Sequence, residues 1–126
     1  MEDVATALDY LKSRTAGPYY LVGYSFGAWV AARALLQGLE VYGAILIAPP
    51  IDFMDLAFLP KVPQVQLIVA GDGDDFCALG HLKAMLAKSL APPELVVVAG
   101  ADHFFWGQED QLFRILRDQP LPGVAQ

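Results

Sequence analysis

Three short segments hold the residues that could do chemistry together. Gly23-Tyr24-Ser25-Phe26-Gly27 presents a serine in the pattern G-x-S-x-G. Gly71-Asp72-Gly73-Asp74-Asp75 supplies carboxylates, and Gly100-Ala101-Asp102-His103-Phe104-Phe105-Trp106 supplies a histidine. A serine hydroxyl is a weak nucleophile until a base removes its proton, and that base needs an acid to orient it. Ser25 as nucleophile, His103 as base and an acid from the second segment therefore point to acyl transfer through a covalent intermediate. The apolar runs on either side of the serine put it on a sharp strand-to-helix turn. A residue strained in that way needs small neighbours two positions either side, which Gly23 and Gly27 provide. The same turn leaves the Phe26 amide at a helix N-terminus, where unpaired N–H groups favour a developing oxyanion.

The elements that must carry these segments follow from hydrophobic periodicity. Val4, Ala7, Leu8 and Leu11 recur at helical spacing, so residues 2–14 read as an amphipathic helix stopped by Gly17-Pro18. Residues 19–23 read as a strand, and residues 26–37 as a helix apolar on nearly every side, hence buried, closed by Gly38. Further strands are expected at 41–48, 65–70 and 94–99, each an apolar run bounded by Gly or Pro. Leu79, Leu82, Leu86 and Leu90 mark a helix ended by Pro92-Pro93, and residues 108–118 form the last helix. Helices alternating with strands predict an α/β fold, a parallel sheet of about four strands flanked by helices. All three chemical segments then follow the C-terminal ends of strands, where an open parallel sheet builds its sites. Residues 1–119 read as one domain, with 120–126 as a tail.

The connection 49–63 is unusual, holding four prolines together with Ile51, Phe53, Met54, Leu56, Phe58 and Leu59. It is either a lid or pocket wall, or core packed under the sheet rim. Asp52, within it, is a rival for the orienting acid, as are Asp72 and Asp75, which are also suited to Asx-turns or helix caps. His81, on a Leu-rich helix, reads as a surface residue, Cys77 as packing at a helix start, Trp29 as core and Trp106 as a wall or cover of the site.

Composition excludes several classes. The 126 residues are 56% hydrophobic, with mean hydropathy +0.42, as suits a sheet buried on both faces. The net charge of −6, from 14 acidic and 8 basic residues, without a basic cluster, disfavours nucleic acid and anionic lipid. The N-terminus lacks the pattern of a signal peptide, and no apolar run approaches the roughly 20 residues of a membrane span. One cysteine excludes an internal disulfide and fits a reducing cytoplasm. His81 and His103 are not spaced as a metal-ligand pair, and no metal or organic cofactor is implied.

G-Y-S-F-G, then G-D-G-D-D after one strand, then G-A-D-H-F-F after the next, resembles the C-terminal part of an α/β-hydrolase. The nearest match is the small prokaryotic dienelactone-hydrolase-like serine hydrolases, and the likeness runs from about Met1 to Arg117. The resemblance implies Ser25 as nucleophile, His103 as general base, Asp74 as orienting acid and the Phe26 amide as an oxyanion donor. Tyr24, Phe53 and Phe104 are the expected substrate-pocket residues. The expected activity is hydrolysis of a small carboxylic ester or thioester. The alternatives are a non-catalytic domain binding an apolar ligand or protein, and an acyltransferase.

The family normally supplies four further strands before this point, and draws its second oxyanion donor from the loop after the third. The chain therefore reads as the second half of that fold, with feeble turnover unless a partner or another amide replaces that donor. The strand at 19–22 becomes an open apolar edge, from which a homodimer through that strand or poor solubility is expected.

Overall fold

The computed structural model describes residues 2–120; Met1 and all of the expected tail beyond Pro120 lie outside them. Helix α1 spans Glu2–Arg14, with acids in its first turn and bases in its last, each placed to complement the helix dipole. It leads to β1, Tyr20–Tyr24, and α2, Phe26–Leu36. Next come β2, Gly43–Ile47, a 3-10 turn at Leu59–Lys61 and β3, Val65–Gly71. Helix α3, Leu79–Leu86, β4, Glu94–Val98, and α4, Glu109–Arg117, complete the order.

The four strands form one sheet in the order β1-β2-β3-β4, and every pairing is parallel. Alternation along the inner strands divides the core between two faces. Ala44 and Leu46 of β2, with Ile68 and Ala70 of β3, join Ala28, Ala31, Ala32 and Leu35 of α2 and Leu82, Met85 and Leu86 of α3. Ile45, Ile47, Leu67, Val69 and Val98 face the other way and meet Phe105, with Leu112, Ile115 and Leu116 of α4 packed against them. Burial on both faces holds for β2 along its whole length and nearly so for β3. It does not hold for β1 or β4, which lie at the edges, and Val22 of β1 is 55% exposed.

Some boundaries differ from the sequence expectation. The strand expected at 41–48 begins only at Gly43, because Val41 and Tyr42 precede the β1 pairing register. Helix α3 stops at Leu86 rather than running to Leu90. The Lys88 and Ser89 amides donate to the carbonyls three residues back, Met85 and Leu86, a tightening that ends a helix, and Leu90 points fully into solvent. Helix α2 is buried through its alanines and Leu35, but it exposes Phe26 and Leu36. Gly38 closes it in the left-handed region, at φ 102°, which a residue without Cβ adopts freely.

The 49–63 connection is divided between core and surface. Ile51, Leu56, Leu59 and Val62 are buried in the first cluster, while Phe53 is left 68% exposed. Trp29 is only partly buried against that cluster, and its indole N–H donates to the Asp55 carbonyl. No described helix is long and apolar enough to cross a membrane.

Candidate active site

Ser25 sits between the last residue of β1 and the first of α2, with φ 55° and ψ −120°. Its N–H donates to the Ile47 carbonyl at the end of β2, and its own carbonyl accepts from the Ala28 and Trp29 amides to start α2. The strained turn is thus tied to the sheet on one side and the helix on the other. Gly23 is required: a Cβ there would collide with the Gly27 carbonyl. Gly27 is not, since a Cβ at that position meets nothing within 4 Å. The expectation that both flanking glycines serve the close approach is therefore corrected. The strand backs onto the Gly27 main chain, while the position where its own side chain would stand is open. Phe26 and Gly27 occupy the first two helical positions, whose N–H groups have no acceptor within a helix.

Asp74 and His103 lie on neighbouring loops after β3 and β4, and these loops are fastened to each other. The Gly73 N–H donates to the Ala101 carbonyl at 2.9 Å, and the Gly100 N–H donates to Asp72 Oδ1 at 2.8 Å. A Cβ on Gly71 would strike the Ala101 carbonyl, so the loops approach as closely as backbone allows. The His103 loop is turned by Gly100 at φ 76° and Gly107 at φ 75°, and Phe105 is held at φ 55°. Asp102 steadies it by accepting from the Phe104 and Trp106 amides.

These loops bring three side chains into a chain of hydrogen bonds. Ser25 Oγ lies 2.7 Å from His103 Nε2, and His103 Nδ1 lies 2.8 Å from Asp74 Oδ2. A carboxylate only accepts, so Nδ1 carries the proton and Nε2 is left to accept from the serine hydroxyl. Asp74 Oδ1 accepts from the Phe76 N–H at 2.7 Å, which fixes the carboxylate plane. Asp74 and His103 are the buried polar residues of the described chain, 6% and 5% exposed. The Tyr24 hydroxyl donates to the His103 carbonyl at 2.7 Å. Burial, then the negative charges of Asp74 and Asp102, push the Tyr24 phenol above its ordinary value, so it stays a donor.

Aromatic rings surround the imidazole. Phe76 lies 4.5 Å from it, Phe104 5.3 Å in an edge arrangement and Tyr24 6.0 Å. Phe53 reaches it only through Phe76, at 4.7 Å between those two rings. Phe76 is the site residue that sequence reading missed. Its signal was the spacing of an aspartate to the amide two residues on, the Asx-turn pattern. Trp106 is largely exposed.

The rival acids lie elsewhere. Asp52 accepts from the Ala78 N–H and from His81 Nδ1, each at 2.7 Å. Those two bonds, His81 first, hold its carboxyl below the usual range. Asp72 bonds across to Gly100 rather than forming a local turn or cap, and Asp75 is exposed. Cys77 is buried. Burial, then the charges of Asp74 and Asp52, push its thiol up to about 12, so it is a packing residue without thiolate character. Among the described residues, no group of three or more His, Cys, Asp or Glu side chains is arranged to hold a metal ion.

A serine at the turn after β1, an acid after β3 and a histidine after β4, on a parallel sheet, follow the chain order of the α/β-hydrolases. Known structures place the fold in the same class. An α/β serine hydrolase homologue from Coxiella burnetii is 33% identical with a TM-score of 0.83, over 94% of this chain and 58% of that one. A lidless α/β serine hydrolase from Xanthomonas campestris is 27% identical with a TM-score of 0.79, over 98% of this chain and 57% of that one. An uncharacterized protein of Rickettsia prowazekii is 27% identical across 92% of this chain and 53% of its own length. No family model matches the chain. The chain has part of the α/β-hydrolase fold and spans just over half the length of these relatives.

Proposed function

We propose that the chain carries the nucleophile, base and acid of a serine hydrolase acting on a small carboxylic ester or thioester. The observation that carries this reading is the pair of bonds from Ser25 Oγ to His103 Nε2 and from His103 Nδ1 to Asp74 Oδ2. Ser25 Oγ attacks the carbonyl carbon while its proton passes to Nε2, and the carbonyl π pair moves onto oxygen. The Phe26 N–H, at the first position of α2, donates to that oxyanion. Collapse breaks the bond to the leaving group, and His103 returns the proton to the departing alkoxide or thiolate. Water then attacks the acylated serine by the same route and releases the acid. The imidazolium formed in each half-reaction is stabilised by the buried Asp74 carboxylate.

Tyr24, Phe104 and the newly recognised Phe76 set their rings around the His103 imidazole, with Phe53 behind Phe76, apolar surface that suits an uncharged acyl group. An α/β-hydrolase takes its second oxyanion donor from the loop after its third strand. A chain working with the Phe26 amide alone would be slower by the roughly 3 to 4 kcal/mol that one such donor contributes. The test is the release of p-nitrophenolate from p-nitrophenyl acetate. A burst that disappears in Ser25→Ala is expected; an equal burst in Ser25→Ala would overturn the proposal.

A further inference from the structure

Asp52 stands outside the Ser25, His103 and Asp74 chain, yet it grips the segment that carries the acid. Its backbone N–H donates to the Phe76 carbonyl at 3.1 Å. Its Oδ2 accepts from the Ala78 N–H and its Oδ1 from His81 Nδ1, both at 2.7 Å. Phe76, held through its carbonyl, donates its own N–H to Asp74 Oδ1 at 2.7 Å. The same residue sets its ring 4.5 Å from the His103 imidazole. Asp52 thus restrains residues 74–78, on which both the orienting carboxylate and the ring beside the base depend.

Resting on the hydrolase reading of Ser25, we infer that Asp52, braced by His81, is a positioning residue that sets Asp74 and Phe76 against His103. The His81 and Asp52 side chains are 50% and 29% exposed, and so exposed a pair adds little to global stability. Its effect falls on local placement instead. Misplacing a reacting group by about 1 Å from a distance is enough to cost on the order of 10²-fold in rate.

The test compares Asp52→Ala, Asp52→Asn and His81→Ala with the wild type in two readouts. One is the rate constant for fluorophosphonate labelling of Ser25. The other, independent of reactivity, is the downfield proton resonance of His103 Nδ1–H, which reports the bond to Asp74 directly. Asp52→Ala is expected to slow labelling about tenfold or more, and to broaden or abolish the resonance, with the urea midpoint little changed. Asp52→Asn keeps an acceptor for the Ala78 N–H and a polar group facing His81, so it is expected to restore both readouts. An unchanged resonance and labelling rate in Asp52→Ala would overturn the inference, as would an Asn variant as impaired as Ala. If the wild type shows the resonance but takes no label, the hydrolase reading fails and the resonance alone decides the role of Asp52. If Asp52→Ala does not fold, His81→Ala removes the brace at Oδ1 alone; a partial loss in both readouts supports the inference and no change overturns it.

Discussion

Replacing Asp74 by Asn isolates the orienting role of the acid, and the surrounding bonds dictate the outcome. The Phe76 N–H points at Oδ1 from 2.7 Å, so the Asn carbonyl oxygen is held at that position. The amide NH₂ then takes the place of Oδ2, 2.8 Å from His103 Nδ1. An NH₂ group only donates, so Nδ1 must present its lone pair and the ring proton moves to Nε2. Nε2–H then faces Ser25 Oγ as a donor and cannot take its proton. Flipping the amide restores the tautomer but sets NH₂ against the Phe76 N–H. That clash leaves a buried donor unsatisfied, at about 1–3 kcal/mol, which limits the flipped form to between about one molecule in six and about one in 160. The lower bound on the loss is therefore about 6- to 160-fold, and the upper end is the roughly 10⁴-fold measured for such an amide in a serine protease. The assay is the second-order rate constant for fluorophosphonate labelling of Ser25, followed by intact mass on protein with wild-type circular dichroism. A rate within about threefold of wild type, below what the flipped-amide population allows, would refute the assignment of Asp74.

The two glycines of the serine turn should part company: Gly23→Ala forces a Cβ into backbone and is expected to lower stability in urea by about 1–3 kcal/mol or more. Gly27→Ala enters open space at a helical position and is expected to be neutral or to stabilise by up to about 1 kcal/mol; equal effects would show that the turn is not packed as described. Cys77, with its thiol near 12, has only about one thiolate in 10⁴ at pH 8. It should ignore Ellman's reagent in the native chain and react at once in denaturant, whereas prompt native reaction would contradict its burial. The β1 edge, with Val22 half exposed, is proposed to pair with a second copy of the 126-residue chain, so sedimentation at micromolar concentration should show a dimer that Val22→Lys dissociates. A monodisperse wild-type monomer would remove that proposal.

The strand and helix order was legible because the inner strands are apolar runs, interrupted only by Gln66, and bounded by Gly or Pro, a pattern that burial on both faces imposes directly. The proximity of Ser25, Asp74 and His103 was legible for a related reason: each follows a strand, and the parallel topology brings those ends together. What stayed hidden depends on through-space partners. Asp52 and Asp72 have the composition of acids or caps, and only the folded loops show that one grips Ala78 and His81 while the other bonds Gly100. Phe76 reads as one more apolar residue until its amide is seen on Asp74 and its ring against His103. The early end of α3 was masked because Leu90 keeps the heptad-like spacing although the backbone has already turned away. Gly27 fits the motif, but the motif does not say which of two glycines is sterically needed.

Activation of Ser25 through His103 is the step on which the proposed hydrolysis depends. Its most direct test is intact-mass analysis after incubation with a fluorophosphonate, on the wild type, Ser25→Ala and His103→Ala. One adduct is expected on the wild type and none on either variant over the same interval. No adduct on folded wild-type protein, or an adduct that persists without His103, would contradict it.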